Sequence, residues 1–188
     1  MEELVVLLDE TGREIGTMPK SQVHTAHTPL HRAFSCYVFG PSGDLLVTQR
    51  ALDKPTFPGV WTNTVCGHPA PGEDDRAAIT RRAAHELGLV TTAITLVLPH
   101  FRYRAEFDGV VENEICPVYL ARTVGTPRAR ADEVNDYAWL SWGVWRHELE
   151  ANPLRYSAWS REQVAQLDET DAVAVYLKAS NDVDVEFN

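Results

Sequence analysis

The run Thr62 to His68, reading TNTVCGH, constrains this chain more than any other stretch. On a strand, residues two apart point to one face, so Cys66 and His68 can enter the same pocket. Together a thiol and an imidazole can be a nucleophile with its base, two metal ligands, or an acid beside a metal. Gly67 and Pro69 end the strand and start a turn. An acidic, Ala-rich stretch with helical spacing follows at once, giving the strand–turn–helix frame on which phosphate and metal sites are often built.

That helix is expected over Asp74 to Leu87. Acids crowd its first turn, where the helix dipole favours them. Ile79, Ala83 and Leu87 share a face, and Gly88 suits the position just past the C-terminus. Upstream, Leu4 to Asp9 and Glu14 to Met18 read as a hairpin about Thr11-Gly12. Pro19 to Leu30 reads as a loop, and Ala33 to Phe39 with Leu45 to Gln49 as a second hairpin. Asp53 to Gly59 is a Pro-rich loop, and Trp61 to Cys66 a strand. Downstream, Thr91 to Phe107 and Val110 to Arg122 read as one long hairpin about Asp108-Gly109. Tyr137 to Leu140 is a short strand. Trp142 to Glu150 and Ser157 to Leu167 are helices, the latter with Ser157 as N-cap. Strands interspersed with a few helices predict an α+β fold. The 188 residues, without repeat or linker, predict a single domain over 1–188 with a frayed acidic tail at 180–188.

A net charge of −10 argues against a nucleic-acid partner, and it means that an anionic ligand needs metal ions or a local basic pocket. No apolar run approaches the length of a membrane span, and no basic leader precedes one, so no membrane association is expected. Three cysteines without close pairing point to the reducing cytoplasm. Oligomeric state is not readable.

Glu112 and Glu114 alternate on an expected strand. Two carboxylates on one face repel unless a cation or shared proton lies between them; the plainer reading is a solvent-facing edge. His24 and His31 precede the first core strand. With His68 and the two acids they suit a divalent metal such as Mg²⁺, Mn²⁺ or Zn²⁺. His27, His85, His100 and His147 read as surface residues. Arg82 and Glu86 are spaced for a helical ion pair. Lys20, Arg50, Lys54 and Arg82 are basic groups that could clamp a diphosphate, or simply face solvent.

Gly67, Glu73, Arg81, Glu86 and Gly88 resemble the Nudix box, G-x5-E-x7-R-E-U-x-E-E-x-G-U. Arg82 and His85 replace two of its carboxylates, which leaves Glu86 alone of the cluster that Nudix hydrolases use to gather Mg²⁺. With NTVCGHP, FRYRA and VENEICPV in order, the chain from about Leu4 to Trp159 is similar to type 1 isopentenyl-diphosphate isomerases. The resemblance implies a Nudix fold of mixed sheets flanked by helices, and a prenyl diphosphate as small-molecule substrate. It implies a divalent ion on His24, His31, His68, Glu112 and Glu114. It implies a substrate-bridging Mg²⁺ at Glu86 and the backbone near Cys66. The acid/base pair then falls on Cys66 and Glu114, assisted by Tyr103. Trp159 lines the pocket, and Lys20, Arg50, Lys54 and Arg82 hold the diphosphate. A cyclase acting on a longer prenyl diphosphate, a Nudix pyrophosphohydrolase and a non-catalytic Nudix-fold binding module stay open beside the isomerase.

Overall fold

In the computed structural model, which describes residues 2–185, two sheets share two continuous stretches of chain and fan apart around the TNTVCGH segment. The chain runs β1 (Leu4–Leu8), β2 (Glu14–Pro19), α1 (Lys20–Val23), β3 (His31–Arg32), β4 (Phe34–Phe39), β5 (Leu45–Arg50), β6 (Trp61–Thr62), β7 (Val65–Gly67), α2 (Asp75–Leu87), β8 (Thr92–Leu98), β9 (Arg102–Phe107), β10 (Val110–Ile115), β11 (Val118–Arg122), β12 (Val134–Leu140), α3 (Trp142–Ala151), α4 (Ala158–Glu169) and α5 (Ala172–Val185). One sheet has the order β2-β1-β3-β10-β9 and the other β12-β5-β4-β11-β8, with β6 on β5 and β7 on β4.

The expected long hairpin is instead split between the sheets: β9–β10 belongs to the first and β8–β11 to the second. The break falls at Pro99 and at Pro117, neither of which has an N–H for a ladder. The parallel pair β3–β10 passes directly into the parallel pair β4–β11. Ala33 N–H donates to Ile115 C=O at 2.9 Å and Ser35 N–H to Pro117 C=O at 3.1 Å, so pairing continues across the change of sheet.

Strand β4 is buried along its whole length. Phe34, Cys36 and Val38 pack with Ile79 and Ala83 of α2, while Tyr37 and Phe39 join the larger core of α3, α4 and α5 with Trp145, Leu167 and Tyr176. Cys36 and Cys116 are fully buried apolar residues.

Strands β4 and β5 pair only at Val38–Leu46 and Phe39–Leu45, then splay, and the segment 61–67 fills the fork. This is why the expected single strand is two short ones. Between them Thr64 Oγ1 accepts from Val38 N–H at 2.8 Å and donates to Leu46 C=O at 2.5 Å. Asn63 Nδ2 donates to Cys36 C=O at 3.0 Å and Val65 C=O at 3.3 Å. Side chains thus take over the pairing that the diverging backbones lose.

Helix α2 starts where its sequence says: Asp74 caps it by accepting from Arg76 N–H, and Gly88 closes it at φ 64°. Ser157 likewise caps α4. The loop expected over 19–30 contains the short α1, the strand expected at 137–140 begins at Val134, and α5 was not anticipated. Of the tail expected to fray at 180–188, the backbone to Val185 continues α5, and 186–188 lie outside the described residues.

Replacing Thr64 by Val keeps the shape but strands a buried N–H and C=O. We expect a loss of about 1–3 kcal/mol in urea unfolding; a loss below about 0.5 kcal/mol would show that the fork does not depend on this hydroxyl.

Candidate active site

Sheet register builds the centre of the site. Glu114 on β10 lies opposite Tyr103 on β9 and His31 on β3. Tyr103 OH donates to Glu114 Oε2 at 2.8 Å, and Glu114 Oε1 lies 3.0 Å from His68 Nε2 and 3.4 Å from His31 Nε2. Both acids are buried, Glu112 at 6% exposure and Glu114 at 5%, which removes the solvent-edge reading. On the opposite face of this strand Val111 is buried, and Asn113 and Ile115 are half-buried.

His31 Nε2 and His68 Nε2 stand 3.2 Å apart, and His24 Nε2 lies 3.0 Å from Glu112 Oε2. Ligand atoms of His24, His31, His68 and Glu114 all fall within 4.8 Å of one another, and Glu112 adjoins the group through His24. The donor set fits a divalent cation on three counts. His24 Nε2 and Glu112 Oε2 are buried without hydrogen-bond partners. The Nδ1–H of His31 donates to Pro29 C=O at 2.9 Å, which turns the Nε2 lone pair inward. Separations near 3 Å are what neighbouring ligands about 2.1 Å from an octahedral ion show.

Burial disfavours charge on Glu114, His31 and His68, yet bonds from His31 and His68 hold Glu114 well below the usual carboxylate range. Burial opposes a charge on His31, but Glu114 moves it upward on balance, whereas burial carries His68 downward. The cluster therefore keeps an ionised carboxylate at its heart.

His24, His68, Glu112 and Glu114 open onto a cavity of about 380 Å³ that Cys66 also lines, with His31 buried behind them. Cys66 pairs across strands with Ser35; its Sγ lies 3.3 Å from Ser35 Oγ and donates to Asn63 Oδ1 at 3.2 Å. Burial pushes the thiol up to about 11. Trp159 of α4 lines the same space, its Nε1–H fixed on Thr62 Oγ1 at 2.9 Å and its ring against Tyr103 and Phe57.

All four basic residues expected near the site line the cavity. Lys20 bonds Glu3 at 3.1 Å, and Arg50 donates to Thr56 C=O at 2.7 Å and Thr56 Oγ1 at 2.8 Å. Arg82 Nη2 lies 2.6 Å from Glu86 Oε1, in a pair that is buried rather than on the surface, and 3.2 Å from Glu133 Oε2. Lys54 bonds the same Glu133 oxygen. Burial raises Glu86 against the pull of Arg82.

The remaining box residues are structural. Arg81 grips Glu73 through two bonds of 2.8 and 2.7 Å, and Glu73 accepts from Ala70 N–H, so the turn after His68 is clamped onto α2. Gly67 is needed because a Cβ there would meet Arg82 Cγ at 3.2 Å and Phe34 Cζ at 3.3 Å. His85 is exposed, as are His27, His100 and His147.

A NUDIX-domain family model matches residues 29–166. The isopentenyl-diphosphate Delta-isomerase of Mycolicibacterium vanbaalenii is 56% identical over 167 residues, covering 88% of this chain and 92% of that protein. That of Saccharopolyspora erythraea is 52% identical over 184 residues, covering 97% and 95%. The chain belongs to the isopentenyl-diphosphate Delta-isomerase family of NUDIX proteins. Solved structures agree on the fold. DR0079 from Deinococcus radiodurans superposes with a TM-score of 0.65 at 18% identity, over 87% of this chain and 98% of that one. A MutT protein from Methanosarcina mazei gives 0.60 at 18% identity, over 76% and 96%.

Three residues escape the sequence reading: Glu133, which lines the cavity, and Asn63 and Ser35, which contact the Cys66 thiol. Asn63 stood inside the central motif but offered no chemistry of its own. Ser35 was one polar position in an apolar strand. Glu133 looked like one acid in the exposed run Asp132-Glu133.

The thiol shift has a sign that can be measured. Folded thiols ionise later than unfolded ones, so any stability they confer is full below the unfolded value and declines as pH rises past it. Thiolate absorbance near 240 nm should stay flat between about pH 8 and 9.5 in the native protein, and rise in urea, where thiols titrate near about 8.5. A native rise in that window equal to one cysteine would show that Cys66 ionises like an unfolded thiol and that burial does not raise it.

Proposed function

We propose that this cavity isomerises isopentenyl diphosphate to dimethylallyl diphosphate by adding a proton at C4 and removing one from C2. The observation that carries the reading is that Cys66, from β7, and the Tyr103–Glu114 pair, from β9 and β10, line one enclosed space with Trp159. Moving a double bond from C3–C4 to C2–C3 needs one proton donor and one acceptor, and the tertiary cation between them needs an electron-rich, water-poor wall. At rest Cys66 carries a proton and Glu114 does not, so the cavity starts with one of each. The reverse reaction exchanges their roles. Tyr103 fixes the Glu114 carboxylate and extends its reach. Trp159, held by hydrogen bond and ring contacts, offers its face to the cation. Lys20, Arg50, Lys54 and Arg82 receive the diphosphate and so hold the five-carbon end in register.

His24, His31, His68, Glu112 and Glu114 would hold one divalent ion, Mn²⁺, Zn²⁺ or Mg²⁺, and Glu86 with the backbone near Cys66 a Mg²⁺ shared with the diphosphate. When bound, the first would supply positive charge that strengthens a carboxyl or phenol acid beside it, the part Glu114 and Tyr103 take in the reverse direction. The box has lost the carboxylate cluster of a hydrolase: Glu73 is tied to Arg81, position 82 is an arginine and position 85 an exposed histidine. We read the chain as one Nudix-type unit over 1–188, working in the cytoplasm with its three cysteines free. Among the described residues no helix is long and apolar enough to cross a membrane.

In D₂O with Mg²⁺, deuterium should enter the methyl carbon formed from C4, and C2 in the reverse direction. Unlabelled five-carbon diphosphates recovered from folded, metal-loaded protein would defeat the reading. Consumption of a longer prenyl diphosphate alone would favour a cyclase, and released phosphate a hydrolase.

Exhaustive chelation should abolish turnover, with Mg²⁺, alone or with Mn²⁺ or Zn²⁺, restoring it. Cys66→Ala should lower kcat by about 10²–10⁴ while leaving the melting temperature nearly unchanged. Turnover near that of the parent protein would make Cys66 structural.

A further inference from the structure

Glu133 is a carboxylate set into the wall of a space that must receive an anion. Its backbone is pinned immediately before β12, with Ala51 N–H donating to its C=O at 3.0 Å and its own N–H donating to Arg130 C=O at 3.0 Å. Its side chain is 13% exposed. One oxygen takes both Lys54 Nζ and Arg82 Nη2, and the other faces His85 Nε2 at 3.5 Å. Arg82 does not need this partner, because its Nε and Nη2 already reach Glu86 at 2.8 and 2.6 Å. Glu133 therefore removes positive charge from a cluster that was already partly neutralised.

Counting the groups in contact decides what ligand charge the cluster accepts. Lys20, Lys54 and Arg82 pair with Glu3, Glu133 and Glu86, Arg50 lines the same space while bonded to Thr56, and exposed Glu2 also borders the cavity. At most one positive charge is left over. A free diphosphate carries roughly three negative charges near neutral pH, and a single Mg²⁺ reduces that to roughly one. In a walled cavity a mismatch of two charges is poorly screened. The cluster thus complements the chelated ligand and opposes the bare one.

We propose that Glu133 is a specificity-determining residue which makes the cavity select the metal-chelated diphosphate over the free anion. The proposal rests on the reading that Lys54 and Arg82 receive a diphosphate. Its cause is the charge of Glu133, not its anchoring of Lys54, and the two make opposite forecasts. If the carboxylate only positions Lys54 and Arg82, its loss weakens every form of the ligand. If it sets the charge balance, its loss strengthens binding of the metal-free form.

The test is calorimetric titration of the full chain with inorganic diphosphate, once in excess EDTA and once in saturating Mg²⁺, for the parent protein, Glu133→Gln and Glu133→Asp. Thermal melts in both buffers verify folding, and Glu133→Ala, read the same way, replaces the Gln variant if that one does not fold. The expected result is that Glu133→Gln gains about tenfold or more in affinity for metal-free diphosphate, changes less than about threefold in Mg²⁺, and that Glu133→Asp behaves as the parent. Unchanged or weaker metal-free binding by Glu133→Gln, or the same gain in Glu133→Asp, overturns the proposal and leaves the diphosphate reading intact. Absence of diphosphate binding by every protein in both buffers overturns the reading and the proposal together.

Discussion

The bonds that gather on the Glu114 carboxylate hold the site together. Burying a charge this deeply costs several kcal/mol unless partners replace the lost water. Here they come from three directions: Tyr103 across the strand on one side, His31 across the strand on the other, and His68 from the segment that ends β7. The first two are given by sheet register alone, since β9, β10 and β3 are neighbours. The third requires the second sheet, because His68 follows a strand that pairs with β4. The carboxylate thus closes a contact between sheets that otherwise diverge, and the cavity is the space left by that divergence.

The fork between β4 and β5 does the complementary work. A regular hairpin would have left no room for the 61–67 segment in this sheet. Thr64 and Asn63 let the chain enter by offering side-chain groups where backbone pairing lapses. The same Asn63 carbonyl then accepts from Cys66 Sγ and from Trp159 Nε1 at 3.2 Å each. One amide therefore supports the fork, aims the thiol and locates the indole. Burial keeps Cys66 protonated, and Ser35 and Asn63 limit that shift without reversing it.

Much of this was legible in the sequence, and the failures have physical causes. Helix α2 with its Gly88 cap, the first hairpin and the β4–β5 turn follow from local rules, as does the meeting of Cys66 and His68 in one cavity. The alternation of Glu112 and Glu114 gave the shared face, but not its burial, because burial depends on β3 and β9 flanking the strand and on His24 and His68 arriving from elsewhere in the chain. The split of the long hairpin turned on Pro99 and Pro117, whose effect is local but whose consequence, a change of sheet, is not. Helix α5 begins in an apolar stretch, Ala172 to Leu177, that packs partly against the α3–α4 core and offers little periodicity alone. The family resemblance implied named positions for the acid/base and metal residues. It could not supply Glu133, whose importance arises from where the loop before β12 returns.

The fate of the box arginine shows how one fold can be redirected. A Glu at position 82 would sit beside Glu86 and Glu133 as a third buried carboxylate, and three such groups stay ionised together only around bound cations. Arg82 changes the local charge by two and supplies a fork that reaches both acids at once, at 2.6 and 3.2 Å. The cluster is then stable without an ion, and its outward face bears cations instead of carboxylates. On the proposed reading, the first metal would instead be held by His24, His31, His68 and Glu114, gathered from both sheets, with Glu86 left for the Mg²⁺ that comes with the substrate. The helix that a hydrolase uses to gather metal on carboxylates here presents Arg82 to the cavity, and on the proposed reading that exchange separates the wall that would hold the anion from the residues that would move protons.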